Sequence, residues 1–164
     1  MNRQAVQTLK TYFGYDTFRE GQESVVESIL EHRDVLAIMP TGAGKSICYQ
    51  VPALMLSGIT IVISPLISLM QDQVKALNEA GIHAAFINSS LSESQISKAL
   101  YLAAGGRYKI IYVAPERLEN YEFLEFARQV EISMVTVDEA HCISQWGQLS
   151  LIHISEPTRL ALIS

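Results

Sequence analysis

Short apolar runs alternate with longer amphipathic segments over roughly the first 140 residues of the chain. The runs are four to six residues long and apolar on both sides of the pleat, which is typical of strands in a parallel sheet covered on both faces. The predicted strands are Val35–Ile38, Thr60–Ser64, His83–Ile87, Lys109–Ala114 and Ser133–Val137.

Between these runs, apolar residues recur at helical spacing. The predicted helices are Arg3–Tyr12, Gly21–Glu31, Ile47–Leu56, Leu66–Ala80, a segment ending near Ala104, and Tyr121–Val130. Ser92 with Gln95 fits a capping box for the fifth helix, and Ser90 with Glu93 fits one equally well. Gly81 is expected just past the end of the fourth helix. The alternation predicts an α/β fold with a mostly parallel sheet flanked by helices, and a ligand at the carboxyl ends of the strands.

The first predicted strand leads into a glycine-rich turn, Met39–Ser46, with the sequence MPTGAGKS, and then into a helix. Such a turn can cradle phosphates, because Gly42 and Gly44 can direct successive N–H groups toward an anion. Lys45 is expected to bind the outer phosphates, and the Ser46 hydroxyl to ligate Mg²⁺. The strict pattern G-x-x-x-x-G-K-[ST] fails at its first position, which is methionine here, so a chance glycine turn before a helix is the alternative.

The last predicted strand is followed at its carboxyl end by Asp138 and Glu139. Asp138 is expected to hold Mg²⁺, directly or through water. Glu139 is expected to orient or deprotonate the water that attacks the γ-phosphorus. An isolated Asp-Glu pair is usually an exposed loop. Downstream of a phosphate-binding turn on an α/β pattern, however, the pair indicates Mg²⁺-dependent hydrolysis of a nucleoside triphosphate.

Composition and charge narrow the class of protein. The 164 residues are 49% hydrophobic, which predicts about one globular domain with a real core. A net charge of −5 argues against attraction of nucleic acid by the whole surface and leaves room for local contacts. No apolar run approaches the ~18 residues of a membrane span, and the start lacks the apolar core of a secretory signal. Cys48 and Cys142 form no disulfide framework, so a cytoplasmic or nucleoid-associated protein is expected.

Five stretches, in order, resemble the motifs of RecQ-type DNA helicases, which belong to helicase superfamily two and tolerate a non-glycine at the Met39 position. They are FREGQ at Phe18–Gln22, MPTGAGKSICYQVPA at Met39–Ala53, SPLISLMQDQV at Ser64–Val74, YVAPERL at Tyr112–Leu118 and DEAHCISQWG at Asp138–Gly147. The resemblance covers residues 1 to about 147. It implies a RecA-like P-loop lobe of an ATP-dependent 3′–5′ DNA helicase of recombination and repair, with ATP and Mg²⁺ as cofactors and DNA as partner.

The resemblance also implies how the nucleotide is held. Gln22 would read the adenine edge through paired hydrogen bonds, with Tyr15 stacked on the base and Arg19 beside it. For Gln22 the alternative is a helix-start glutamine that faces water, and for Tyr15 it is a packing or surface aromatic. The implied contacts of the phosphate loop are Thr41, Gly42, Ala43, Gly44, Lys45 and Ser46.

Further residues are implied to contact DNA. The Ser64-Pro65 turn and the turn that contains Arg117 would touch the sugar-phosphate backbone. Trp146 would be a stacking platform for a base, while His141 and Gln145 would couple DNA contact to ATP hydrolysis. A surface ion pair is the alternative for Arg117, and core packing is the alternative for Trp146.

After Gly147 the resemblance stops. The segment Leu149–Arg159, LSLIHISEPTR, resembles instead the in-frame translation of a transposase-type sequencing-library adaptor. Residues 1–148 are therefore expected to be a partial first helicase lobe, and residues 149–164 a non-native tail rather than a domain. A divergent C-terminus is the alternative, and different codons for residues 149–159 in the nucleotide sequence would contradict the adaptor hypothesis.

In the helicase family a second lobe supplies an arginine finger and half of the DNA track. On this interpretation that lobe is missing here, so the chain is expected to bind nucleotide weakly at best and not to unwind DNA. Two alternative functions stay open. One is a different P-loop NTPase, such as an RNA helicase or a DNA translocase, and the other is a non-catalytic nucleotide-binding module.

Overall fold

The computed structural model describes residues 2–40, 44–139 and 158–164. Within those ranges, six strands form one sheet. They are β1 (Val35–Ala37), β2 (Ile59–Ile63), β3 (Ala84–Ile87), β4 (Ile110–Val113), β5 (Ile132–Asp138) and β6 (Arg159–Ile163). The helices are α1 (Arg3–Phe13), α2 (Gln22–Leu30), α3 (Lys45–Met55), α4 (Ile67–Glu79), α5 (Glu93–Ala104) and α6 (Tyr121–Gln129), with a 3-10 helix at Pro115–Glu119.

The sheet has the order β1-β6-β5-β2-β4-β3, and every neighbouring pair is parallel. Side chains that include Tyr49, Met70 and Tyr112 form the core on one face of the sheet. On the other face, a second cluster includes Ile96 and Phe123. The predicted α/β fold with a parallel sheet flanked by helices is therefore confirmed.

Capping interactions fix the start of α5 and the end of α4 at the positions that the sequence predicts. At α5, the Ser92 hydroxyl accepts the Gln95 N–H (3.2 Å) and the Ser92 N–H donates to the Gln95 side-chain oxygen (2.8 Å), which completes a capping box. After α4, Gly81 is left-handed (φ 87°), and the Ile82 N–H donates to the Leu77 carbonyl (2.9 Å). Of the two capping pairs considered, the structure contains Ser92 with Gln95.

One strand was not predicted. Arg159–Ile163 forms β6, which lies inside the sheet between β1 and β5. A short apolar run such as this cannot be identified as a strand by periodicity alone, because the backbone partners that make it one come from elsewhere in the chain. That residues 149–164 are a non-native tail stays a prediction.

The part of the chain that the structure describes includes no helix that is both long enough and apolar enough to span a lipid bilayer.

Candidate nucleotide site

The glycine-rich turn and the acidic pair lie at the same edge of the sheet. β6 separates β1 from β5, and Ile163 pairs in register with Ala37 on one side and with Asp138 on the other. The carboxyl ends of β1 and β5 are thus two strand spacings apart, which is about 10 Å. This edge is where parallel α/β sheets bind their ligands.

Gly44 joins the turn to α3 in a conformation that favours glycine. Its φ is +74°, and α3 begins at the next residue, Lys45. The N–H groups at the start of α3 provide a site for an anion, and the charge of Lys45 adds to it. Thr41, Gly42 and Ala43 lie outside the described residues.

A cavity of about 370 Å³ lies beside the start of α3. The lining includes five of the residues predicted to bind nucleotide, which are Tyr15, Arg19, Gln22, Gly44 and Ser46. The fold thus brings these five residues, which lie as many as 31 positions apart in the sequence, to the wall of one cavity. Their individual roles stay predictions.

Gln22 connects the cavity to the glycine-rich turn. The side chain is only 4% exposed, its oxygen accepts the Arg19 N–H (2.8 Å), and its amide nitrogen donates to the Gly44 carbonyl (3.0 Å). A β-carbon on Gly44 would lie 2.4 Å from that nitrogen. The orientation of the Gln22 amide and the shape of the turn therefore depend on each other.

Asp138 ends β5 and is partly buried. Burial raises the pKa of its carboxyl group, the N–H of Glu139 (2.9 Å) lowers it, the charge of Glu139 raises it, and the charge of Lys45 lowers it. The pKa is raised overall. The turn that leads to Lys45 follows β1, and β1 and β5 end at the same edge of the sheet, so Lys45 and Asp138 are on the same side of the molecule.

Glu139 has a φ of +58°, a left-handed conformation that is uncommon for a residue with a side chain. Conformations of this kind cost of order 1–3 kcal/mol and are often found at functional sites.

Ser46 and Asp138 provide a hydroxyl and a carboxylate, the oxygen donors that Mg²⁺ accepts while it retains several waters. The donor types at this edge therefore fit the predicted ion.

We expect Asp138→Asn to raise the melting temperature at neutral pH. Since the pKa of Asp138 is raised in the folded state, the folded chain binds more protons than the unfolded chain between the ordinary and the raised pKa. As pH rises through that window the carboxyl group becomes charged, and the folded state loses stability because the charged form is buried. Asparagine carries no charge and removes this cost. The gain in melting temperature is therefore full above the window and disappears below it.

Thermal melts from about pH 4 to pH 8 measure this difference. Asp72→Asn is the matched control, because it makes the same chemical change at an exposed position on α4. A lower melting temperature for Asp138→Asn than for the unaltered chain at pH 7 would contradict the expectation.

A polar network that was not predicted borders the cavity, and two of its members, Gln50 and Gln73, line it. The hydroxyl groups of Tyr49 and Tyr112 are 2.8 Å apart, and the Gln50 amide donates to the Tyr112 hydroxyl (3.0 Å) and to the Gln73 side-chain oxygen (2.9 Å). Burial raises the pKa of Tyr112 to about 12, so its hydroxyl is neutral. The network joins α3, β4 and α4. In the sequence, the only signal for it was the presence of polar residues within otherwise apolar segments.

The structure places the Ser64-Pro65 turn at the start of α4, as the DNA-contact prediction requires, but the Ser64 side chain is only 1% exposed. Its hydroxyl accepts the Leu66 N–H (3.3 Å) and braces the turn. The exposed part of the turn belongs to Pro65 and to Leu66, which is 45% exposed. Direct contact of the Ser64 hydroxyl with DNA does not fit this burial, while contact by the rest of the turn stays a prediction.

Arg117 forms an ion pair with Glu93, at 3.3 Å, between the 3-10 helix and the start of α5. This is the surface-ion-pair alternative considered from the sequence. The proposed contact of Arg117 with DNA stays a prediction. His141, Gln145 and Trp146 lie outside the described residues, so their predicted roles in DNA contact and coupling do as well.

Comparisons with known proteins agree with the sequence motifs. A family model described as DEAD/DEAH box helicase matches residues 19–159. The chain is 54% identical over 148 residues to the ATP-dependent DNA helicase RecQ of Bacillus subtilis, which covers 90% of this chain and 25% of the relative. It is 47% identical over 143 residues to RecQ of Haemophilus influenzae, covering 87% of this chain and 23% of the relative. The chain thus spans about a quarter of the length of these curated relatives.

Solved structures share the fold. A hypothetical ATP-dependent RNA helicase from Sulfolobus tokodaii superposes with a TM-score of 0.77 at 20% identity, over 100% of this chain and 50% of that one. The DUF1998 helicase MrfA, bound to DNA and AMPPNP, gives a TM-score of 0.74 at 16% identity, over 100% of this chain and 26% of that one. At these identities the likeness concerns the fold alone, and it confirms the predicted RecA-like lobe.

Proposed function

The chain belongs to the DEAD/DEAH box helicase family, and from that premise we propose that it is the ATP-binding and hydrolysing lobe of a RecQ-type, 3′–5′ DNA helicase. The observation that carries the proposal is the meeting of two distant segments at one sheet edge. The phosphate turn follows β1, the acidic pair ends β5, and Ile163 pairs with both strands. RecQ helicases at 47–54% identity support the choice of subfamily.

In this proposal the base occupies the cavity beside α3. Gln22 reads the adenine edge, Tyr15 stacks on the base, and Arg19 lies beside it. Tyr15 is half exposed at the cavity, which leaves an aromatic face available for stacking, and Gln22 is held in place by its hydrogen bonds to the backbone of Arg19 and Gly44. These three side chains distinguish adenine from other bases by shape and hydrogen bonding.

The triphosphate extends from the base toward the N-terminus of α3 and the Asp138 carboxylate. Lys45 and the N–H groups of the phosphate turn, which includes Thr41, Gly42 and Ala43, bind the phosphate oxygens. Ser46 and Asp138 hold Mg²⁺, which neutralises charge on the phosphates when it is bound. Glu139 holds the attacking water or accepts its proton.

The DNA side of the proposal rests on the resemblance to RecQ helicases. The exposed part of the Pro65 turn and Arg117 contact the DNA backbone, Trp146 stacks on a base, and His141 and Gln145 transmit that contact to the nucleotide. A RecQ-type motor closes two lobes over ATP, and the described residues form one of them, so we propose that this lobe binds nucleotide and that strand separation requires both lobes.

Equilibrium binding of fluorescent ATP and GTP analogues in the presence of Mg²⁺ tests the nucleotide site. We expect ATP to bind more tightly than GTP, and Gln22→Ala to weaken ATP binding by about 10-fold, the cost of one or two neutral hydrogen bonds. Gln129→Ala is the matched control, since Gln129 is exposed at the end of α6, and it should leave both affinities unchanged.

Each result has a distinct meaning. Absence of binding to any nucleotide would refute the proposed function. Equal affinity for ATP and GTP, or an unchanged Gln22→Ala variant, would refute the assigned base site. Strand separation by this lobe alone would refute the proposal that unwinding requires both lobes.

A further inference from the structure

β1 carries the phosphate turn and is joined to the rest of the sheet through β6. In the strand order, β1 stands at one end, and among the described residues β6 is its single neighbour. β6 also pairs with β5 along its whole length, from Met134 with Arg159 to Asp138 with Ile163. The segment Arg159–Ile163 therefore holds the two nucleotide-binding segments in one sheet.

Hydrogen bonds secure this strand at both ends. At its start, the Leu160 N–H donates to the Asp34 carboxylate (3.0 Å). At its end, the Ser164 N–H donates to the Ala37 carbonyl (3.0 Å), and the Met39 N–H donates to the Ser164 carbonyl (2.8 Å). The second pair continues the ladder past β1 into the start of the phosphate turn.

The side chains of β6 alternate between the two cores. Ala161 and Ile163 are fully buried on the face that contains Tyr49 and Tyr112. Leu160 and Leu162 are partly buried and pack against the cluster on the other face. Backbone hydrogen bonds do not depend on side-chain identity, so the position requires little more than apolar residues on both faces, with a small one at 161.

We propose that the gap between β1 and β5 is a strand-accepting site. It takes an extended apolar segment in parallel orientation, it selects that segment by pattern rather than by sequence, and its occupant here is Arg159–Ile163 of the same chain. The quoted helicase-like motifs end at Gly147 and the family match ends at residue 159, so we ascribe the place of this segment in the sheet to its apolar pattern. In a final step, which rests on the proposed function, the occupant sets the spacing between the phosphate turn and Asp138.

Cysteine cross-linking tests the occupant in the full chain. Leu36 and Leu162 are register partners, so their α-carbons are about 5 Å apart, within the range that a disulfide spans. We expect Leu36→Cys with Leu162→Cys to form an intrachain disulfide on mild oxidation, as identified by peptide mapping. Leu36→Cys with Leu160→Cys is the control, because that offset of two residues along the strand puts the pair about 8 Å apart.

Absence of a 36–162 disulfide, or an equal yield from the control pair, would overturn the proposed pairing. A disulfide between two chains would overturn the assignment of the occupant to the same chain, and would show instead that the site takes the strand of a second copy.

The second experiment tests selection by pattern. The double variant Leu160→Val with Leu162→Val keeps the apolar pattern, so its melting temperature should stay within about 5 °C of the unaltered chain. Leu162→Pro removes a backbone donor from an internal strand, and should lower the melting temperature by roughly 6–12 °C and weaken nucleotide binding about 10-fold.

If the valine variant is as unstable as the proline variant, selection by pattern is refuted. If proline has no effect, the segment does not occupy the sheet. Cross-linking and melting report on the strand alone, so a chain that forms the disulfide and binds no nucleotide would refute the proposed function and leave the strand-accepting site intact.

Discussion

Replacing Lys45 with alanine is expected to weaken binding of Mg-ATP by about 10–100-fold, the cost of one charge-assisted hydrogen bond. Lys45 is the first residue of α3, and its charge lowers the pKa of Asp138, although burial keeps that pKa raised overall. Because alanine favours helix, the melting temperature should change by no more than a few degrees. Titration with a fluorescent ATP analogue measures the affinity, and a thermal melt measures the stability.

Lys98→Ala is the matched control. Lys98 is exposed on α5, on the far side of the sheet from the cavity, and its loss removes the same charge from the chain. We expect its ATP affinity to match that of the unaltered protein. Equal affinities for Lys45→Ala and the unaltered chain would show that the glycine-rich turn does not bind the triphosphate.

Gly44→Ala is expected to reduce ATP affinity by about 10-fold or more and to destabilise the fold by about 1–2 kcal/mol, the cost of a left-handed residue with a side chain. The new β-carbon would lie 2.4 Å from the Gln22 amide nitrogen, so that side chain must move. Since Gln22 both lines the cavity and bonds to the Gly44 carbonyl, the base site and the phosphate turn should be disturbed together.

Gly106→Ala separates these two effects. Gly106 has a similar φ of +86°, but a β-carbon there meets nothing within 4 Å. It should therefore show the same loss of melting temperature with unchanged ATP affinity. If Gly44→Ala binds ATP as well as Gly106→Ala does, then Gln22 and the turn are not coupled in the way that the structure indicates.

Local patterns in the sequence were sufficient for most of the fold. β2 is buried at all five positions and stands out as an apolar run, while α4 has a strong helical repeat and ends at a left-handed Gly81. The signals for these elements lie within the elements themselves. β6 differs because Arg159 and the four apolar residues after it become a strand only when β1 and β5 provide backbone partners on both sides.

For the candidate site, sequence reasoning identified which residues to examine and could not give their surroundings. It indicated Gln22 as a base reader, and the structure adds that the same amide contacts Gly44. It indicated the Ser64 turn and Arg117 as DNA contacts. In the structure the Ser64 hydroxyl is buried and Arg117 forms an ion pair with Glu93. The sequence could not show this, because the burial and the ion-pair partner of a side chain depend on neighbours that are distant in sequence.

The alternation of strands and helices, the glycine-rich turn and the acidic pair could be recognised from the sequence, because turn geometry, hydrophobic periodicity and the chemistry of side chains are local properties. Three features could be known only from the packed chain: the position of Arg159–Ile163 between β1 and β5, the contact of Tyr112 with Gln50 beside the cavity, and the raised pKa of Asp138. Each of these depends on which distant segments exclude water from one another, and that is settled when the chain packs.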